Sequence, residues 1–328
     1  MHVTAEAQRK VVLPRRLEKG DRIAVVSPAS PLREATALER GIARWEQRGF
    51  VVEVLEHARQ RFDYPDEDGL AGSDEERLAD LQRAFDEPRY RAVICTRGGY
   101  GCTRLLPHIA WSKLAADPKP ILGYSDITAL LAAAWREIGL VSFHGPMLAT
   151  TKSHAMGAQE EELQSELVSN TSAAPRLESA SVAHALSPGV ATGRLVGGNL
   201  SLVQALIGTR WEIDTRGALL FLEDVGEAPY RVDRMLTQLL QTGMLARCAG
   251  VVLGDFHVPR SELASEDPRI VAVFRDRLAE LGIPVAYGFA FGHRPRSLTL
   301  PFGARARLVA DDAAKPARLE ILEPCVRP

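Results

Sequence analysis

The sequence predicts an α/β protein whose N-terminal domain is a doubly wound, mostly parallel sheet and whose C-terminal domain is a second α/β unit. The chain has 328 residues, more than one hydrophobic core usually organises. Apolar strand patterns alternate with helical patterns over the first 150 residues, which is typical of a parallel sheet covered by helices. A similar alternation resumes near residue 191. We therefore expect domains at 1–150 and 191–328, joined by a linker at 151–190.

Five strands are predicted in the first domain, at 22–27, 50–55, 92–96, 121–123 and 140–143. Helices are predicted from Leu32 to about Arg48 and, opened by a capping box of Ser73 and Glu76, as far as about Phe85. Ligands bind at the carboxyl ends of the strands in such sheets. The segments that follow the third and fourth strands, 97–101 and 124–126, should therefore lie at one edge and form a site.

The second half begins with a segment rich in Ser, Ala, Gln and Glu that contains one predicted helix near 158–168. Beyond it, the glycine-rich run 193–199 is expected to lead into a helix that ends at Leu206. Further strands are predicted at 218–223, 250–253 and 285–289, and further helices at 232–241 and 270–281. The closing segments, 298–308 and 318–322, are predicted as strands with a bend at Gly303.

Composition and charge exclude several classes of protein. With 46% hydrophobic residues, 25% charged residues and a net charge of −2, the chain resembles an ordinary globular protein and has no basic excess for nucleic acid. No signal-peptide pattern and no apolar run of about 18 residues is present, so we expect a cytoplasmic protein without a membrane partner. The cysteines are far apart and predict neither a zinc site nor a disulfide framework: Cys95, Cys102, Cys248 and Cys325.

The segment Gly-Tyr-Ser-Asp-Ile at 123–127 has the pattern of a nucleophile elbow. A serine on a tight strand-to-helix turn exposes its hydroxyl, and the amide of the next residue, Asp126, faces a developing oxyanion. Ile127 replaces the final glycine of the usual pattern. The alternative is that Ser125 caps the following helix, and these five residues alone leave both interpretations open.

A nucleophilic serine needs a base, and the base needs a carboxylate that orients it. His144 and His293 each follow a predicted strand and are the two candidate bases. Glu223 and Asp224 end an apolar strand and are the candidate orienting groups, although either could instead cap the next turn. Sequence spacing does not separate these alternatives.

The run Arg-Gly-Gly-Tyr-Gly at 97–101 predicts a loop whose backbone approaches a ligand closely. Gly98 and Gly99 suit an amide aimed at a substrate oxygen. A phosphate-binding loop is the rival interpretation, but the run lacks the lysine and the spacing of such loops. Tyr100 either lines the site or packs, and Asn199 is expected to cap a helix where the domains meet.

These segments occur in the order found in a known family. Residues 97–101, 122–128, 143–146, 197–200, 222–227 with 229–234, and 292–293 together resemble the LD-carboxypeptidases, a family of serine peptidases. The resemblance implies that Ser125 is the nucleophile, His293 the base and Glu223 the residue that orients it. It also implies an oxyanion hole made by the amides of Asp126 and of Gly98 and Gly99, in a cleft between the domains.

The same resemblance implies an activity. Such an enzyme, called a muramoyltetrapeptide carboxypeptidase, releases the terminal D-alanine of murein tetrapeptide during cytoplasmic cell-wall recycling. No metal or organic cofactor is implied, and members of the family are often homodimers. A carboxypeptidase must also hold a free carboxylate, for which arginine offers a two-pronged donor. The candidates are Arg231, Arg294 and Arg296.

Two other functions remain open. The microcin-immunity branch of the family cleaves a peptidyl or aminoacyl nucleotide. Residues 150–190 contain no tryptophan to stack on a base, which favours the cell-wall branch. A non-catalytic ligand-binding protein with a domain cleft would share the α/β pattern, but it would not need a serine, a glutamate and a histidine at all three motif positions.

Overall fold

The computed structural model describes residues 10–65, 68–149, 157–171, 183–257, 267–311 and 315–328. Thirteen strands lie in this part of the chain. In chain order, β1 to β13 span Arg22–Val26, Val51–Val54, Tyr90–Cys95, Ile121–Gly123, Ser142–His144, His184–Ser187, Gly189–Asn199, Leu219–Val225, Gly250–His257, Val285–Tyr287, Leu300–Phe302, Arg305–Ala310 and Arg318–Ile321. The α-helices α1 to α9 span Ala35–Gln47, Asp74–Asp86, Cys102–Leu105, Ser112–Ala116, Thr128–Ile138, Ala158–Ser169, Leu200–Ala205, Pro229–Gln241 and Pro268–Leu278.

The first sheet has the strand order β11-β5-β4-β3-β1-β2. Its strands pair in parallel except β11, which runs antiparallel to β5 with Leu300 opposite His144. A short strand from the far end of the chain therefore completes the N-terminal sheet. The predicted α/β class and the mostly parallel first sheet are confirmed.

The second sheet has the order β13-β12-β7-β8-β9-β10-β6. Its centre, β7 to β10, is parallel, and antiparallel strands lie on both sides. The sequence did not predict β7 as a strand, because Gly193, Gly197 and Gly198 weaken the strand signal. One of these glycines is needed for pairing, since a Cβ on Gly197 would lie 1.9 Å from the carbonyl oxygen of Phe221 on β8.

Helix α5 lies between the two sheets and contacts β4 and β5 of the first and β7 of the second. Its Ala- and Leu-rich sequence is buried at every position from Thr128 to Trp135, as expected for a helix with no polar face. The Thr128 hydroxyl accepts a hydrogen bond of 3.1 Å from the backbone amide of Asn199. The start of α5 is therefore fixed to the end of β7.

The boundaries of the predicted domains and linker stay predictions, since residues 150–156 and 172–182 lie outside the described part of the chain. Within the predicted linker, the helix expected near 158–168 is α6, and β6 was not expected. In the ranges described, no helix combines the length and the apolar character needed to cross a membrane.

Candidate active site

Ser125 occupies a tight turn between β4 and α5 with φ +63, in the left-handed region that residues other than glycine rarely adopt. A 3₁₀ turn, Ser125–Ile127, links it to α5. Ser125 caps neither helix, because the N-cap positions are held by Tyr124 and Ile127. Ile127 takes the place of the usual last glycine by packing on Gly123, where an added Cβ would lie 2.7 Å from the Ile127 side chain. The turn thus has the strained geometry of a nucleophile elbow.

Residues 97–101, here called the glycine loop, lie against the serine hydroxyl. A Cβ on Gly98 would lie 2.9 Å from Oγ of Ser125 and 3.2 Å from the backbone nitrogen of Asp126. An added Cβ would also lie 2.7 Å from Cβ of Ser125, so the backbone at Gly98 packs against the serine and the Asp126 amide too closely for any side chain. Such close approach of backbone is expected of a loop that contributes to an oxyanion hole.

Three side chains hold this loop in place. The hydroxyl of Ser30 accepts a hydrogen bond of 3.0 Å from the Tyr100 amide, and Asp126 Oδ2 accepts one of 2.8 Å from the Cys102 amide. The buried guanidinium of Arg77 donates to the carbonyl oxygen of Gly101 at 3.1 Å. Burial raises the pKa of Asp126 to about 6, although the Cys102 amide and Arg77 act in the opposite direction. Neither Ser30 nor Arg77 was predicted from the sequence, although Ser30 follows β1 and so lies at the predicted edge.

Tyr100 is 39% exposed, and its ring lies 5.8 Å from that of Tyr64. It packs on this neighbour at the rim of the glycine loop and remains accessible from solvent. A role in substrate binding stays a prediction.

His293, in the segment between β10 and β11, pairs with Glu223 of β8. Glu223 lies near the end of β8 with no solvent exposure, and its Oε2 lies 2.7 Å from Nδ1 of His293. Gly292 has φ +106, and a Cβ there would approach within 2.8 Å of the Glu223 side chain, so only glycine leaves room for the contact.

The pair shifts both pKa values. Burial alone would disfavour protonation of His293, but the charge and hydrogen bond of Glu223 outweigh burial and raise the pKa of His293 above its ordinary value. Burial would raise the pKa of Glu223, yet the attraction of His293 holds it below its ordinary value. A carboxylate that stabilises an imidazolium is the arrangement required of a catalytic base and its orienting group.

The two sheets bring these groups to the serine turn. The imidazole ring of His293 lies 4.8 Å, between ring centroids, from the ring of Tyr124, the residue that precedes Ser125. The serine thus follows a strand of the first sheet, the glutamate lies on β8 of the second sheet, and the histidine lies in the segment that connects β10 of the second sheet to β11 of the first.

Asp224, the other candidate carboxylate, is hydrogen-bonded away from this pair. It accepts hydrogen bonds from the amide and hydroxyl of Ser201, from the side-chain amide of Asn199 and from the amide of Val225. Burial and the nearby charge of Glu223 raise the pKa of Asp224 to about 6. Asp224 anchors the start of α7, and Asn199 is the N-cap of that helix, as expected.

His144, the other candidate base, lies near the other carboxylate oxygen of Glu223. Its Nε2 is 3.9 Å from Glu223 Oε1, and the side chain is buried. Burial lowers the pKa of His144 to about 4, which makes it a poor proton acceptor at neutral pH.

The three candidate arginines occupy different positions. Arg231 lies exposed on the first turn of α8, 3.6 Å from Glu227. Arg294 follows His293 directly and is partly buried. Arg296 is exposed, has φ +55, and its Nε lies 3.4 Å from the position of a Cβ on Gly157, so it lies beside the start of α6.

The four cysteines are buried free thiols. In the ranges that the structure describes, no group of three or more His, Cys, Asp or Glu side chains is arranged to hold a metal ion.

Comparisons with known proteins show which family the chain resembles. Profiles described as the LD-carboxypeptidase N-terminal and C-terminal domains match residues 23–145 and 192–308. A Bacillus subtilis relative named "Probable murein peptide carboxypeptidase" is 38% identical over 94% of both chains. The crystal structure of muramoyltetrapeptide carboxypeptidase from Oxalobacter formigenes is similar with a TM-score of 0.75 and 32% identity, over 92% of this chain and 99% of that one. An MccF-like protein from Bacillus anthracis is similar with a TM-score of 0.83 and 26% identity, over 95% of this chain and all of the other. This chain belongs to the LD-carboxypeptidase family.

Proposed function

We propose that this protein is a serine-type LD-carboxypeptidase that releases the terminal D-alanine of murein tetrapeptide. The observation that carries the proposal is that the His293–Glu223 pair contacts Tyr124 at the strained Ser125 turn, where the backbone of Gly98 also packs closely against the serine. The substrate follows from the relatives named murein peptide and muramoyltetrapeptide carboxypeptidase.

The mechanism is acyl transfer. Oγ of Ser125 attacks the peptide carbonyl on the L-configured side while His293 accepts its proton, and Glu223 stabilises the imidazolium that forms. The oxyanion is bound by the Asp126 amide and by the amides of the Gly98 and Gly99 turn. His293 then protonates the departing amine of D-alanine, and water hydrolyses the acyl-enzyme.

We assign the free carboxylate of the substrate to Arg294. Arg294 adjoins the proposed base in sequence and makes no ion pair with a carboxylate in the described part of the chain, whereas Arg231 already lies beside Glu227. Arg294→Ala should raise KM at least about tenfold, the cost of losing a hydrogen-bonded charge pair, with a smaller change in kcat. Arg296→Ala is the matched control, and an equal rise in KM in the control would refute the assignment.

Mass spectrometry of purified murein tetrapeptide after incubation with the protein tests the proposed function. We expect the loss of one alanine from the tetrapeptide, and no loss from an analogue that ends in L-alanine. Ser125→Ala serves as the inactive control. If the tetrapeptide stays intact under conditions in which the Bacillus subtilis relative cleaves it, the proposed function is wrong.

A second substrate class belongs in the same experiment because the Bacillus anthracis structure is an MccF-like protein. An aminoacyl adenylate analogue should resist the enzyme if the cell-wall assignment holds, and cleavage of this compound alone would favour the microcin-immunity function. A protein that binds either compound without turnover would be a non-catalytic ligand-binding protein.

We further propose that the enzyme acts in the cytoplasm as a homodimer. Cell fractionation and light scattering would test these two points, and a membrane-bound or monomeric protein would contradict them.

A further inference from the structure

His144 lies at the junction of the two sheets, although the mechanism above does not use it. It ends β5, and its side chain is 1% exposed. The rings of Tyr124 and Phe221 meet the imidazole edge-on, with centroids 6.0 and 5.1 Å away. Since Tyr124 precedes the serine turn and Phe221 lies on β8, the imidazole is held by residues of both sheets.

The ring nitrogens of His144 lack the hydrogen bonds that buried polar atoms usually make. Within the described residues, no donor or acceptor meets hydrogen-bond geometry at either ring nitrogen or at Oε1 of Glu223. The side-chain amide of Asn199 lies near enough to help lower the pKa of Glu223, but it donates its hydrogen bond to Asp224. Nε2 and Oε1 are 3.9 Å apart, which exceeds the range of a hydrogen bond. A buried polar group without a partner is costly, and these two atoms face each other in a space without solvent exposure.

We propose that His144 donates its Nε2–H to Oε1 of Glu223 and thereby acts as a positioning residue for His293, an inference that rests on the proposed function. A carboxylate only accepts hydrogen bonds, so Nε2 is the protonated nitrogen of the neutral ring. A shift of less than about 1 Å by either side chain brings the pair into hydrogen-bond range. Glu223 is then held at both oxygens, by His293 at Oε2 and by His144 at Oε1.

The second hydrogen bond has two consequences. It fixes the rotation of the carboxylate, so that Oε2 stays directed at Nδ1 of His293. It also partly neutralises the negative charge of Glu223. Glu223 then stabilises the protonated form of His293 less strongly, so the pKa of His293 is lower than it would be without the second hydrogen bond. Because burial keeps the pKa of His144 low, the ring supplies this donor without a second positive charge.

Other titratable groups also act on His293. Asp224 on β8 and Asp255 on β9 favour its protonated form, and the buried phenol of Tyr124 packs against its ring. None of these groups changes when His144 alone is replaced, so a shift in the pKa of His293 reports on the His144–Glu223 contact.

The test compares His144→Phe, which fills the space without a donor, with His144→Gln, which keeps an N–H. Each variant is first shown to be folded by circular dichroism and thermal unfolding. For His144→Phe we expect kcat to fall about 10- to 100-fold, the effect of one hydrogen bond to a charged group. We also expect the pKa of His293, read from its imidazole NMR signals, to rise. His144→Gln should recover most of kcat and return the pKa of His293 toward the wild-type value.

An unchanged pKa of His293 in folded His144→Phe would overturn the inference, as would a His144→Gln variant no better than His144→Phe. The NMR titration does not depend on turnover. If the wild type fails to cleave murein tetrapeptide but the pKa of His293 still responds to His144→Phe, the proposed substrate is wrong and the His144–Glu223 contact stands.

Discussion

Ser125 holds a backbone conformation that is costly for any residue with a Cβ. Left-handed backbone costs roughly 1–2 kcal/mol for a residue other than glycine, and this turn adopts it with φ +63. The strain is offset by the packing of Ile127 on Gly123 and by the burial of α5 behind the turn. Its effect is to place the hydroxyl beside the glycine loop.

Two substitutions of Ser125 distinguish the effect of backbone strain on stability from the effect of the hydroxyl on catalysis. Ser125→Ala and Ser125→Gly should each lower kcat on the order of 10⁴-fold or more, because both remove the nucleophile. Only glycine relaxes the backbone. After the greater entropy of its unfolded chain is subtracted, Ser125→Gly should be more stable than Ser125→Ala by about 0.5–1 kcal/mol. Denaturant unfolding measures this difference, and an alanine variant as stable as the glycine variant would argue against a strained turn.

Substitution of Glu223 is expected to reduce catalysis, whereas substitution of the neighbouring Asp224 is expected to reduce stability. Glu223→Gln should lower kcat by roughly two to four orders of magnitude, as when a triad carboxylate becomes an amide. Asp224→Asn should leave kcat within about tenfold, but it should lower stability by about 1–3 kcal/mol, because an amide nitrogen would face the donors of Ser201 or Val225. Steady-state kinetics and unfolding curves distinguish the two. A larger kcat loss in Asp224→Asn would require a different orienting residue.

The pH dependence of activity follows from the raised pKa of His293. The base must be neutral to accept the serine proton, so kcat/KM should fall as pH drops through the pKa of His293 in the free enzyme. Glu223 stabilises the protonated form, so the midpoint should lie above about 6.5, the ordinary value for histidine. In Glu223→Gln the midpoint should move to lower pH. A wild-type midpoint near 4, the pKa of His144, would instead identify that histidine as the base.

At the scale of elements, the glycine loop is fixed before substrate arrives. Ser30 after β1, Arg77 on α2 and Asp126 at the serine turn each hold one of its backbone groups. The loop is thus tied to three separate segments around the first sheet, as expected of donors that must not reorganise during the reaction.

Adding a methyl group at Gly98 tests whether this loop forms part of the oxyanion hole. Gly98→Ala would place a Cβ 2.7 Å from the Ser125 side chain and 3.2 Å from the Asp126 amide nitrogen, and so would displace the loop from the proposed oxyanion hole. We expect kcat to fall about 10²- to 10³-fold, comparable to the loss of one oxyanion donor. Burst kinetics would show a slowed acylation step. Near-normal kcat in folded Gly98→Ala would place the oxyanion elsewhere.

Elements with a strong local signal were predictable from the sequence. The bounds of β4 match the prediction, and the capping box of Ser73 and Glu76 opens α2. Strand β7 was not predicted from the sequence. Its glycines are required for pairing with β8, and this requirement is visible only once the two strands are brought together in the fold. The role of Arg77 was not predicted for a similar reason, since nothing near it in the sequence indicates the carbonyl groups that it binds.

At the scale of the whole molecule, the site depends on contacts that join residues far apart in the chain. The sequence motifs identified Ser125, Glu223 and His293 as candidates, but they did not show that β11 returns to pair with β5, so that Leu300 lies opposite His144. They also did not show His144 between Glu223 and the serine turn. Such arrangements result from packing between sheets, for which a single sequence carries no local pattern.

Ser125 is expected to form an acyl-enzyme with the murein peptide. The most direct test is mass spectrometry of wild-type protein that is acid-quenched during turnover of murein tetrapeptide, followed by peptide mapping. We predict an adduct with the mass of the acyl group left after D-alanine departs, located on Ser125 and absent from Ser125→Ala. An adduct on another residue, or continued turnover by Ser125→Ala, would contradict the account.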